Sequence, residues 1–271
     1  MADLRGFRYL SSMQNPLFKK IKSLGSRKGR EESGLFMAEG ARLVSEICPP
    51  WELETLVLTE SFMESMEGWR DSLRRYPNAE AVVVPEEWMR AASDTLNPQG
   101  ILALIRLREA SLEEILQKSP PFLVILEDLQ DPGNAGTILR TADAAGAGGI
   151  LCSGHTVDFF GPKVVRASMG SIFHLPVVRA DDFYGTLEEL KRRDIMLAAA
   201  HLQASCPYDR ADYRGGCGVL IGNEGNGLSP RAKSLAQTGI YIPQPGRAES
   251  LNASVAAGIL IYEVLRQRRA Q

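Results

Sequence analysis

From Phe122 onward, short apolar runs alternate with longer amphipathic or alanine-rich stretches: FLVIL (122–126), GGILC (148–152), LPVVR (175–179), IMLAAA (195–200), GVLIG (218–222) and GIYIP (239–243). Runs this short and this continuously apolar read as strands covered on both faces. Between them the periodicity predicts helices ending at Gly146, starting near Pro162, over 182–193, and from about Asn252. Such alternation implies an α/β domain with a mostly parallel sheet and helices on both faces. Before Phe122 the same pattern appears on a smaller scale, with strands at LFMAEG, LETLVLT, EAVVVP and ILALIRL and helical stretches near 40–48, 61–75 and 85–93. Asn15-Pro16 is a helix start, an N-cap followed by proline in the first turn, and KKIKSL carries that helix to Gly25. GSRKGREESG then reads as a polar, glycine-punctuated loop, and REASLEEILQKSPP as a linker closed by Pro120-Pro121. The expected organisation is therefore a small α/β unit over 1–107, a linker over 108–120, and a larger α/β domain over 121–271.

Composition changes this picture little. With 271 residues, 44% of them hydrophobic, the chain has enough apolar content for real cores. No apolar run approaches the roughly 18 residues of a membrane span, and MADLRGFRYLSSM holds no continuous apolar stretch of the signal-peptide kind. Cys48, Cys152, Cys206 and Cys217 are scattered without a C-x-x-C pair or neighbouring histidines, which signals neither a metal site nor a disulfide framework and fits a reduced cytoplasm.

Charge changes it more. The formal net charge is −2, but residues 1–30 carry +7 and the remainder −9. A basic arm on an acidic body fits a polyanionic partner, and a solvated terminal helix is the plain alternative. The candidate phosphate contacts are Lys19, Lys20, Lys22, Arg27, Lys28 and Arg30.

Ligands of parallel sheets bind beyond the carboxyl ends of the strands, so the loops after strands are the places to search. After FLVIL comes Asp131-Pro132-Gly133-Asn134, with Gly136 and then Arg140. Side chains on a helix tilt toward its N-terminus, and Gly136 offers nothing to block Arg140 from folding back beside Asn134. A planar guanidinium there suits a phosphate or carboxylate; the alternative is an ion pair with Asp131 or Asp143. After GVLIG, Gly222, Gly225 and Gly227 surround Glu224, a spacing that is neither the dinucleotide fingerprint nor a phosphate-binding loop. After GIYIP, a rigid loop of Pro243, Pro245 and Gly246 leads to Ser250 and Asn252, either of which can cap the last helix.

Taken in order, D-P-x-N-x-G-x-I-x-R, I-G-x-E-x-x-G, and I-P with S-L-N-x-S-x-A resemble the three motifs of the SpoU (TrmH-like) class of SPOUT RNA 2'-O-ribose methyltransferases. GPKVVRASMGSIFHLPV, residues 161–177, is also similar to that family, and NPLFKKIKSLGSRKGREESGLFMAEGARLVSEI resembles the ribosomal-protein-like substrate-binding domain of many members. The resemblance implies a C-terminal trefoil knot that binds S-adenosyl-L-methionine, and a homodimer formed through the knotted domain. It places Gly222, Ile242 and Leu251 around the cofactor, with Ala199 and His201 nearby. Asn134, Arg140, Glu224, Ser250 and Asn252 become the polar catalytic positions, with Arg140 reaching the pocket of the other subunit. It implies no metal.

The reaction expected on this basis is methyl transfer to a ribose 2'-hydroxyl, with ribosomal RNA of the 23S type the favoured substrate. Transfer RNA, and a non-catalytic ribosome-assembly role, are the alternatives. A nicotinamide-dependent oxidoreductase would need the glycine fingerprint that the chain lacks.

Overall fold

The structure is a computed structural model that describes residues 7–65 and 76–269. The chain forms two compact units: one holds the residues up to Arg108 together with Phe160–Phe173, the other Glu109–Phe159 together with the chain from His174.

In the first unit, strands β1 (Arg8–Tyr9), β2 (Leu35–Glu39), β3 (Leu53–Thr59), β4 (Glu80–Val84) and β5 (Ile101–Arg106) form a sheet in the order β1-β4-β3-β5-β2. It is mixed: β4 runs parallel to β1 and β3, whereas β5 runs antiparallel to β2 and β3. Asn15 caps the helix Pro16–Ser23 as its sequence predicts, accepting from the Leu17 N–H at 2.9 Å.

The expected loop after it is a second helix, Arg27–Ser33. The Ser26 hydroxyl accepts from the Gly29 N–H at 3.1 Å, and Gly34 ends the helix in the left-handed region at φ 65°. Gly29 looks like a helix breaker but is a packing requirement, since a Cβ there would lie 2.1 Å from the Ser23 carbonyl oxygen. Arg30, assigned above to phosphate, is buried at 4% exposure and its Nη1 donates to the Leu24 carbonyl at 2.6 Å. That side chain belongs to the fold and leaves the RNA-facing set. The helix expected over 61–75 starts at Glu60 and runs to Ser65; its remainder lies outside the described residues.

In the second unit, β6 (Phe122–Leu126), β7 (Gly149–Cys152), β8 (Val177–Arg179), β9 (Met196–Ala200), β10 (Cys206–Pro207), β11 (Cys217–Ile221) and β12 (Thr238–Tyr241) form a sheet in the order β10-β12-β9-β11-β6-β7-β8. Every pairing in it is parallel. All five residues of β6 and of β11 are buried, as their unbroken apolar runs require. On one face Leu123, Ile125, Leu151, Leu197 and Leu220 pack with Leu187 and Leu190 of the helix Phe183–Arg192. The expected linker carries a short helix, Leu112–Ile115, whose Ile115 is fully buried in this core. A single anchoring isoleucine in a charged stretch gives too weak a periodicity to distinguish from a tether. After β8 the chain crosses the sheet to build β9 to β12 on the far side of β6, which gathers the loops after β6, β9, β11 and β12 at one edge.

Candidate functional site

The loops after β9, β11 and β12 enclose a cavity of about 420 Å³, within the size of small-molecule sites. Ala200, His201, Gly222, Glu224, Ile242, Ser250 and Leu251 contribute to its wall. Thus His201, Gly222, Glu224, Ile242, Ser250 and Leu251, widely separated in sequence, all lie on the wall of one cavity. Ala199 does not. It is fully buried in the sheet core, and the next residue, Ala200, takes the wall position, because successive side chains of a strand point to opposite faces.

Gly222 follows β11 where no side chain fits: a Cβ would lie 2.2 Å from the Gly227 carbonyl carbon and 2.3 Å from the Leu228 nitrogen. The loop folds back on itself, with Asn223 N–H donating to Gly227 O at 3.2 Å and Gly227 N–H to Asn223 O at 2.9 Å. The Asn223 side chain accepts from the N–H groups of Gly225 and Asn226 and donates to the Asp128 carbonyl at 2.9 Å. The turn is thus held by backbone and side-chain hydrogen bonds along its whole length.

Glu224 reaches across to the first motif. Its carboxylate accepts from the Asp131 N–H at 2.9 Å, the Gln130 N–H at 3.1 Å and the Asn134 amide at 3.1 Å. Burial would raise this carboxyl, but the hydrogen bonds from Asn134, Asp131 and Gln130 outweigh it and hold it below the ordinary carboxylate range. Asp131 in turn caps the helix Pro132–Ala144, accepting from the Asn134 N–H at 2.7 Å.

Sequence reasoning missed the reciprocal contact. Glu127, directly after β6 and 4% exposed, accepts from Ser229 N–H at 2.7 Å, Ser229 Oγ at 2.6 Å and the Tyr184 hydroxyl at 2.8 Å. The only sequence signal is a carboxylate adjoining a fully apolar strand.

Arg140 is exposed, lies outside the cavity wall, and has no ion-pair partner among the described residues. Its two candidate acidic partners are otherwise engaged, Asp131 in the cap and Asp143 with His174 at 3.3 Å. Asn252 also lies outside the wall: its Oδ1 caps the last helix, accepting from Ser254 N–H at 2.9 Å and Ser254 Oγ at 2.7 Å. Of the arm, Lys20 pairs with Glu54, Arg27 with Glu31 and Lys28 with Glu32, while Lys22 donates to the Ala91 carbonyl at 3.0 Å. Such exposed pairs are weak enough to exchange for phosphate.

Two buried polar atoms of the cavity residues have no hydrogen-bond partner, His201 Nδ1 and Gln244 Oε1. The His201 imidazole is held below its ordinary value by burial and then by the Lys233 ammonium, against an opposing hydrogen bond with Gln203. Among the described residues no helix is long and apolar enough to cross a membrane.

Comparison with known proteins adds to this geometry. Residues 121–262 match the SpoU rRNA Methylase family, and residues 15–103 match the MRM3-like substrate binding domain. The chain is 32% identical to the 23S rRNA (guanosine(2553)-2'-O)-methyltransferase RlmP of Bacillus subtilis, across 94% of this chain and 98% of that one. It is also 32% identical to a 23S rRNA (uridine(2479)-2'-O)-methyltransferase of Streptomyces viridochromogenes, across 90% and 87% of the two chains. Among solved structures, the SpoU methyltransferase AviRb of Streptomyces viridochromogenes in complex with AdoMet superimposes with a TM-score of 0.86 at 30% identity, covering 94% of this chain and 99% of that one.

Proposed function

Because the chain belongs to the SpoU rRNA methylase family, we propose that it is an S-adenosyl-L-methionine-dependent methyltransferase acting on a ribose 2'-hydroxyl of 23S-type ribosomal RNA. The observation that carries this reading is the cavity at the carboxyl ends of β9, β11 and β12, locked to the first motif by Glu224. The cavity fits the cofactor: the close backbone approach at Gly222 excludes a side chain, and two orphaned polar atoms await a ligand. Gly222, Ile242 and Leu251 would hold it, with His201 alongside. When bound, it supplies an activated sulfonium methyl. The 23S enzymes above support the choice of RNA, since each aligns over at least 90% of this chain.

The residues then divide the work. Asn134, held by Glu224, orients the ribose, and Arg140 binds the adjoining phosphate and polarises the hydroxyl. A guanidinium holds its proton too tightly to serve as a good base, so the role of Arg140 is to position the hydroxyl and stabilise charge. Orientation of two reacting groups in line supplies about 7–11 kcal/mol of barrier reduction, enough to make a weak nucleophile serviceable. Ser250, on the cavity wall, faces the same space, and Asn252 sets the helix behind it.

Residues 1–107 are the RNA-binding unit, and 121–271 carry the chemistry and the trefoil knot. Lys19, Lys20, Lys22, Arg27 and Lys28 remain its proposed phosphate contacts. An Arg140 that is exposed and lies off its own chain's cavity supports a homodimer in which it serves the partner's cavity, and so do the exposed Val255 and Tyr262 of the last helix. Free cysteines fit a cytoplasmic setting.

The test is to map 2'-O-methyl groups in RNA from cells with and without the protein. We expect a single 23S-type site to disappear. Loss confined to transfer RNA would overturn the substrate, and no loss in any RNA would overturn the activity.

A further inference from the structure

His201 and Gln244 belong to different loops, after β9 and after β12, and both line the cavity. Each buries a polar atom that has no partner in the protein, Nδ1 of the imidazole and Oε1 of the amide. Leaving such atoms unpaired is costly, and native proteins seldom do so without a purpose. The ring lies close over the neighbouring strand, where a Cβ on Gly239 would lie 2.7 Å from His201 Nε2. A neutral imidazole has one N–H and one bare lone pair, and in the tautomer protonated at Nε2 the lone pair stands at the unpartnered Nδ1. Gln244 Oε1 is an acceptor as well. The cavity thus holds two buried, unpartnered atoms that can accept a hydrogen bond.

Given the cofactor reading above, on which this rests, we propose that His201 Nδ1 and Gln244 Oε1 are cofactor-selecting acceptors that receive N–H or O–H donors of S-adenosylmethionine. The cofactor is rich in such donors, in its adenine amino group, ribose hydroxyls and ammonium. Backbone contacts at Gly222, Ile242 and Leu251 would give the site its shape, and these two side chains its chemical selectivity. A ligand of equal size that brings acceptors to these positions leaves four groups unpaired, a stronger discrimination than shape alone provides.

The test is titration calorimetry of the full chain with S-adenosylmethionine and, separately, with S-adenosylhomocysteine, which keeps the same donors but lacks the sulfonium charge. Thermal melts without ligand accompany it. Gln244→Met, which keeps the length but removes the acceptor, should weaken both ligands roughly tenfold while leaving the ligand-free melting temperature unchanged or higher, because an unsatisfied buried oxygen has gone. His201→Leu should weaken both to a similar degree, and His201→Asn, whose amide oxygen can stand near the Nδ1 position, should recover most of the affinity. Unchanged affinity in both Gln244→Met and His201→Leu would overturn the proposal, as would a loss confined to S-adenosylmethionine, which would assign the effect to charge. Absence of binding to the unsubstituted protein would instead overturn the cofactor reading.

Discussion

At the scale of single residues, His201 gives the site a defined response to acid. The charged and titratable groups of the cavity are Lys233 from the helix Pro230–Leu235, Glu224 after β11, Tyr241 at the end of β12, and Glu249 before the last helix. Burial first, and Lys233 second, keep the imidazole neutral in the folded chain. A histidine whose folded value is depressed contributes stability above its unfolded value, about 6.5, and that contribution is lost as pH falls toward the folded value. Protonation also fills the Nδ1 lone pair and sets a second positive charge beside Lys233, facing a cationic ligand. Cofactor affinity should therefore be flat from pH 8 down through the ordinary histidine value of about 6.5, and decline only as pH falls toward the lower folded value. Calorimetry across that range checks this, and the acid decline should be largely absent in His201→Asn. A decline of equal size in that variant would transfer the effect to another group.

At the scale of elements, two carboxylates cross in opposite directions between the loops after β6 and β11. Glu127 leaves β6 to hold Ser229, at the start of the helix Pro230–Leu235, and Glu224 leaves β11 to hold the start of the helix Pro132–Ala144. The cavity wall from Gly222 to Leu228 lies between these two anchor points. Glu127→Ala would leave the Ser229 N–H without its acceptor and the Ser229 and Tyr184 hydroxyls, 3.2 Å apart, with only each other in a part-buried setting, each group left unpaired costing about 1–3 kcal/mol. The melting temperature should fall by roughly 5 °C or more for a chain of this length. Cofactor affinity should fall with it, because the loop behind Gly222 loses its tether. Glu127→Gln, which keeps one acceptor oxygen, should lose less of both. A destabilised Glu127→Ala variant with unaltered affinity would limit Glu127 to local packing.

At the scale of the whole molecule, the proposed homodimer would share each active site between two copies, with Arg140, which lies off its own chain's cavity wall, serving the partner's. Arg140→Ala and Leu251→Arg should each abolish methyl transfer while leaving the dimer intact. In a mixed dimer one composite site then carries both lesions and the other carries neither. With free exchange at equal amounts, roughly a quarter of the unsubstituted activity should return. Sites built within single chains would each keep one lesion, so mixing would restore nothing. Absence of rescue in verified mixed dimers would place Arg140 at its own chain's cavity.

The order of apolar runs determined the parallel sheet, because a strand covered on both faces must be continuously apolar, and FLVIL and GVLI are buried at every position. The glycine, proline and asparagine punctuation after those runs located the site, because close backbone approach and helix capping admit few residue types. The three motifs, by their order, identified the family. What the sequence left open were choices between partners distant in the chain. Gly29 reads as a helix breaker until Ser23 is seen pressing against it. Arg30 reads as a surface cation until Leu24 takes its guanidinium. Glu224 has several donors it could hold, of which the fold gives it Asn134, and of the two candidate caps Ser250 and Asn252 it is Asn252 that caps the last helix. Which face of β9 meets the cavity, Ala199 or Ala200, depended on a one-residue alternation that an all-alanine run cannot signal. Only the tertiary structure decided these matters, because a polar side chain has several chemically adequate partners in the sequence and the fold brings within bonding distance only some of them.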